Sequence, residues 1–176
     1  DIRDMTTASW TLGATLTRAR TSVGADGVAN SATRLTGGAV TATNTITYLV
    51  TAAASSRTYP ARVRRVTGTG PILIMQGATT SDISGSLVAG AWKLVQLTAS
   101  VLNATIGFRV DTNLDAIDVD MNGFEAGALA TSPILTGGAT RPGDVLSNVA
   151  SGNLPASGFF SIYGEIAPST TLGSTT

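Results

Sequence analysis

Apolar residues return at every second position along much of this chain, and the alternation predicts strands. In "ATLTRA" the pattern turns on Leu16. "AVTATNTITYLV" predicts a Thr-rich strand over 39–50, with Ile46, Tyr48 and Val50 on one face. "RTYPARVRRV" sets Tyr59, Ala61 and Val63 against Arg62 and Arg64, as a half-buried sheet requires. "PILIMQ" reads as a buried strand. "WKLVQLTA" sets Trp92, Leu94 and Gln96 against Lys93, Val95 and Leu97, and "TIGFRVD" and "DAIDVDMNGFE" follow. Turn signals punctuate the series at Asp26-Gly27, Gly37-Gly38, Ser84-Gly85 and Gly137-Gly138. "GTGPIL" carries two close glycines and reads as a hairpin turn, since neither a helix nor a Gly-Lys-Ser/Thr follows. No window of about 12 residues carries an apolar stripe at helical spacing flanked by Glu and Lys. Short strands with glycine turns predict an all-β sandwich or barrel.

The end of the chain reads differently. After Asp144 comes the loop "SNVASGNLPASG", then one strand, "FFSIYGEIAP", then "STTLGSTT". A single strand cannot bury its own face. We expect one domain over 1–148, and over 149–176 a linker with the first strand of a second sandwich.

Composition narrows the chemistry. The 176 residues hold no cysteine and no histidine, which removes disulfides, thiolate nucleophiles and the commonest general base and metal ligand. Eleven basic residues balance eleven acidic ones, so nothing points to nucleic acid as partner. No apolar run approaches the roughly 18 residues of a helical membrane span, so we read no membrane insertion. Ten of the eleven bases are arginine, and Lys93 is the one lysine. Arginine's planar fork suits carboxylates and sugar hydroxyls.

Carboxylates cluster at Asp111, Asp115, Asp118, Asp120 and Glu125. Asp118 and Asp120 share a strand face about 7 Å apart. Three readings stay open there: acid–base work of the glycosidase kind, a structural calcium ion, or a plain solvated face. No cofactor is indicated otherwise. Sugar binding needs exposed aromatic faces, and aromatics are only 5% of the chain. Trp10 and Trp92 are assigned to the core as large fillers. Tyr48, Arg62 and Arg64 are placed together as the face that a glycan would meet.

Several segments, taken in order, resemble one family. "DIRDMTTASWTLGAT" resembles the opening of carbohydrate-binding-module-like jelly-roll domains in tailed-phage virion proteins, where a short acidic lead ends in Trp. "ADGVANSATRL", "SSRTYPARVRRVTGTGPI", "AGAWKLVQLT" and "GFEAGALATSPILTGGATRPGDVL" are similar to its later segments, and the likeness runs from Asp1 to Asp144. The resemblance implies an antiparallel jelly-roll β-sandwich and a non-catalytic role in the virion, in a tail fibre, tail tip or head appendage. It implies other virion proteins as partners, a homo-oligomer with a trimer favoured, and a part as spacer, decoration or binder of host polysaccharide. It also implies that these residues belong to a longer polypeptide opening a concanavalin-like domain. A carbohydrate-binding module of a secreted or surface bacterial protein is the alternative setting. Pro60 stands where the family has Ser, and Arg62 where an aromatic is common. The closing segment implies a structural ion pair between Glu125 and Arg141 rather than a reaction.

Overall fold

The computed structural model describes residues 3–130, all within one compact unit. Arg141, the boundary at 148 and the strand expected at 159–168 lie outside the described residues.

Eleven strands and one short 3-10 turn make up the described unit, which has no α-helix. They are β1 (Trp10–Leu12), β2 (Leu16–Ser22), β3 (Ala32–Gly37), β4 (Thr45–Leu49), β5 (Ser56–Thr67), β6 (Ile72–Gln76), β7 (Thr79–Asp82), β8 (Lys93–Ser100), β9 (Thr105–Val110), β10 (Ala116–Asp120) and β11 (Glu125–Ala126). The first sheet runs β1-β4-β9-β6-β7. The second runs β2-β3-β10-β5, and β5 also pairs with β8 and with β11. Every strand pair is antiparallel. The chain passes repeatedly between the two sheets, and the fold is an all-β antiparallel jelly-roll sandwich.

Alternation decides which side chains fill it. From the first sheet come Ile46, Ile72, Ile74, Ile106, Phe108 and Val110; from the second, Leu35, Tyr59, Ala61, Val63, Ile117 and Val119. The rings of Tyr59 and Phe108 meet at 5.7 Å, one from each sheet. Tyr59 brings a hydroxyl into this core, and it donates to Asn122 Oδ1 at 3.0 Å. That satisfies a donor whose burial unpaired would be costly.

Four local features differ from the sequence reading or explain it. The strand expected over 39–50 is only Thr45–Leu49. Upstream, the Thr41 hydroxyl accepts from Thr43 N, and Asn44 N donates to Thr41 O, so one side-chain and one backbone bond turn the chain before pairing can begin. The strands β3 and β7 are too rich in Thr, Ser and charge to show as alternating apolar runs. "GTGPIL" is not a hairpin turn, because β5 belongs to the second sheet and β6 to the first. The arch it forms is held by Arg65, which donates to Gly70 O at 2.9 Å and reaches Asp115 at 3.3 Å, while Gly70 N donates to Asp115 at 2.7 Å. Gly68, at φ +80°, supplies the left-handed residue there.

Pro60 lies within β5, between the stretch paired with β11 and the stretch paired with β10. Its carbonyl accepts from Gly123 N at 2.9 Å, on the side where the chain leaves β10 and has not yet entered β11. The missing N–H therefore faces a gap in the ladder and breaks no pairing.

Candidate functional site

The second sheet's outer face carries a row of side chains in register across its strands. Arg34 on β3 stands opposite Asp118 on β10, and Asp118 stands opposite Arg64 on β5. Trp92, one residue before β8, continues the row: the Arg64 guanidinium lies 4.7 Å from the centre of its ring. Arg62 begins a second row, between Asp120 on β10 and Leu94 on β8. Beside the rows lies a shallow depression of about 230 Å³, lined by Arg34, Arg64, Arg65, Val66, Gly90 and Asp118.

Asp118 is the fixed point of this arrangement. Its carboxylate has no exposure, and it accepts from Ser22 Oγ at 2.8 Å, Arg34 Nε at 2.9 Å, Arg34 Nη2 at 3.1 Å and Arg64 Nε at 2.9 Å. Burial by itself would raise its pKa. Hydrogen bonds from Arg34, Ser22 and Arg64, with the charge of Arg34, outweigh burial and hold the acid below its ordinary 3.8. A proton donor needs the opposite shift. A cation site needs open lone pairs, and here two guanidinium groups stand where an ion would. Asp120 is committed too, accepting from Ala25 N at 2.9 Å and Met121 N at 2.7 Å, with Arg3 at 3.7 Å. Among the described residues no group of three or more acidic side chains is placed to hold a metal.

The structure separates the three residues placed together as a glycan-binding face. Arg62 and Arg64 do share the outer face of the second sheet. Tyr48 does not join them. It lies on β4 of the first sheet, faces inward with Ile46, and packs its ring 5.3 Å from that of the buried Trp10. The physical reason is the alternation itself: the face that Tyr48 shares with Ile46 is the core face.

Trp92 needs the converse correction. It is half-buried and belongs to the outer face, not the core. Val95 and Leu97 are the residues of β8 that turn inward, and their neighbours Leu94 and Gln96 are exposed. Trp10 is core, as expected. The signal for Trp92 was present in the "WKLVQLTA" alternation, which set Trp92 opposite Val95.

Glu125 opens β11 opposite Thr58 and is half-buried. The chain then crosses the outer face of the sheet: Thr58 Oγ1 donates to Gly127 O at 2.8 Å and Thr98 Oγ1 to Ala128 O at 3.4 Å. The closing segment expected beyond Ala130 lies outside the described residues. The expected partner, Arg141, lies outside the described residues.

No protein-family profile matches the chain, and no curated protein does. Solved structures do match. The CBM22-1 xylan-binding domain of Paenibacillus barcinonensis Xyn10C is 14% identical, with a TM-score of 0.52 over 73% of this chain and 92% of that one. The CBM22-1–GH10 modules of Clostridium thermocellum xylanase 10B, complexed with xylohexaose, are 17% identical, with a TM-score of 0.48 over 72% of this chain and 27% of that one. The enzymatically active domain of bacteriophage CBA120 tailspike protein 4 is 14% identical, with a TM-score of 0.45 over 70% and 20%. The chain thus spans about a quarter of the xylanase chain that it matches. What is shared at these identities is the jelly-roll fold of carbohydrate-binding modules.

Proposed function

We propose that this chain is a non-catalytic carbohydrate-binding module whose ligand lies across the outer face of the second sheet, at Trp92. The observation that carries the reading is the half-buried indole on the outer face beside Arg64, with Arg62 two residues along β5 on the same face. A flat apolar ring supplies a platform for a sugar ring, and guanidinium groups beside it supply donors for hydroxyl and carboxylate oxygens. The fold shared with a xylan-binding domain supports the reading by analogy. The state of Asp118 supports the non-catalytic part, since a saturated carboxylate with a lowered pKa neither donates a proton nor attacks.

The test is affinity electrophoresis against a panel of soluble polysaccharides that includes xylan. Wild type is expected to be retarded by at least one polymer, and Trp92→Ala to migrate freely. Leu49→Ala, on the first sheet, should behave as wild type. Retardation unchanged in Trp92→Ala would place the ligand elsewhere, and no retardation by any polymer would defeat the reading.

Two settings follow for such a module. A secreted or surface bacterial protein is the one the fold likeness favours. A phage tail fibre, tail tip or head appendage, with virion partners and a trimeric state, is favoured by the ordered segments between Asp1 and Asp144. Light scattering on the purified chain separates them in part: a trimer supports the virion setting, and a monomer at all concentrations counts against it.

A further inference from the structure

The charges in the two rows are arranged so that only one sign reaches solvent. Asp118 and Asp120, the carboxylates of the two rows, are completely buried and committed to donors within the protein. Arg34 and Arg64 keep 40% and 22% of their side chains exposed. Each spends Nε and Nη2 on the protein, and Nη1 has no partner among the described residues. Arg62 is half-buried and makes no ion pair or hydrogen bond among the described residues. Other acids lie off the rows. Asp26 turns its carboxylate to Val28 N and Ser31 in the β2–β3 loop, and Glu125, opposite Thr58, carries its carboxylate over Gly123 beside Pro60, at the edge of the second row.

A site for neutral sugars would need acceptors as well as donors, because each hydroxyl is both. On this face donors predominate: three guanidinium groups stand beside one indole, and the Gln96 amide, diagonal to Arg62, adds both a donor and an acceptor. We infer that the ligand is an acidic polysaccharide whose uronate carboxylates are held by Arg62, with the sugar ring laid against Trp92. Arg62 on β5 and Trp92, just before β8 and two residues from Arg62's partner Leu94, are diagonal neighbours within reach of one uronate residue. Arg34 and Arg64 are fixed by Asp118 and present their remaining N–H groups without rearranging, whereas Arg62 is the uncommitted fork that a carboxylate can engage through two bonds. The inference rests on the carbohydrate-binding reading and adds the chemical class of the sugar.

The experiment compares polygalacturonate, alginate and hyaluronan with their carboxyl-reduced, neutral forms, using isothermal titration on the full chain. At least one acidic polymer is expected to bind about tenfold or more tightly than its reduced form. Raising salt from about 50 mM to about 500 mM should remove most of that difference, because exposed charges are screened. Arg62→Ala should abolish the preference, bringing the acidic form down to the affinity of its reduced form, with Arg62→Lys restoring part of it. Trp92→Ala should weaken both forms. Equal binding of acidic and reduced polymers overturns the acidic class and leaves the carbohydrate reading intact. Failure of every polymer, acidic or neutral, overturns both. Equally tight binding of poly-glutamate would reduce the site to attraction for any polyanion and overturn the inference.

Discussion

Replacing Asp118 by asparagine keeps the side-chain volume and removes the charge. The carboxylate now receives four hydrogen bonds, two from Arg34, one from Arg64 and one from Ser22. An amide has one accepting oxygen, and its NH2 group would be turned toward guanidinium donors. At least two of the four bonds are lost. A hydrogen bond to a charged group contributes about 1.5–3 kcal/mol net, so two are worth about 3–6 kcal/mol. The two guanidinium groups are 40% and 22% exposed, and water recovers part of that. We therefore expect a loss of about 3 kcal/mol, the lower end of the range for breaking a buried ion pair. In a domain of this size that lowers Tm by roughly 10 °C. Urea unfolding at neutral pH, followed by the fluorescence of the buried Trp10, measures it. The pH dependence gives a second reading. The folded pKa of Asp118 lies below the ordinary 3.8, so its stabilisation is complete above 3.8 and fades as pH falls through the lower folded value. Wild type and Asp118→Asn should converge in that acid window. A loss under about 1 kcal/mol, with no convergence in acid, would refute the reasoning, since water would then suffice for both arginines.

Tyr59→Phe removes the bond to Asn122 and leaves a buried acceptor, costing about 1–2 kcal/mol in chemical denaturation; a neutral result would mean that Asn122 finds another donor. Gly107→Ala places a methyl group against the carbonyl oxygen of Ile46 within the β4–β9 pair. It should cost more than about 2 kcal/mol or prevent folding, and a variant as stable as wild type would show that the two strands can part at that point. Trp92→Ala should change stability by less than about 1 kcal/mol and shift the emission maximum to shorter wavelength, because the remaining Trp10 is buried; a large loss would return Trp92 to the core.

The sandwich was legible because its inward positions repeat every second residue and are apolar: Ile46 and Tyr48, Tyr59 to Val63, Ile72 and Ile74, Val95 and Leu97. Strands whose inward residues are not apolar escaped, as β3 did with the fully buried Thr33. For β8 the faces were divided correctly but the wrong one was assigned to the core, because indole size was weighed above the pattern. Lys93 shares its parity with Val95 and Leu97, which argued against that face; at the strand end it simply reaches solvent. Tyr48 failed as a surface residue for a related reason, since alternation had already tied it to Ile46. The row itself was not legible. Its ion pairs span 84 and 54 residues of sequence, and only the register of β3, β10 and β5 aligns them. Period-two patterns put Arg64 opposite the apolar residues of β5, but they do not say which strand lies beside it.

The central place of β5 has a consequence for how the molecule is made. Its pairing with β8 joins Thr58 to Thr98, 40 residues away, and its pairing with β10 joins Arg64 to Asp118. During synthesis one edge of β5 waits for β8, and the other stays bare until β10, ending at Asp120, has left the ribosome. Pairings of such long range fold in milliseconds to seconds rather than microseconds. A bare strand of this length invites other chains to add to it. Pro60 cannot extend a foreign ladder, and Arg57, Arg62, Arg64 and Arg65 repel a second copy of the same strand. Side chains that later serve the finished sheet thus protect the nascent one from aggregation.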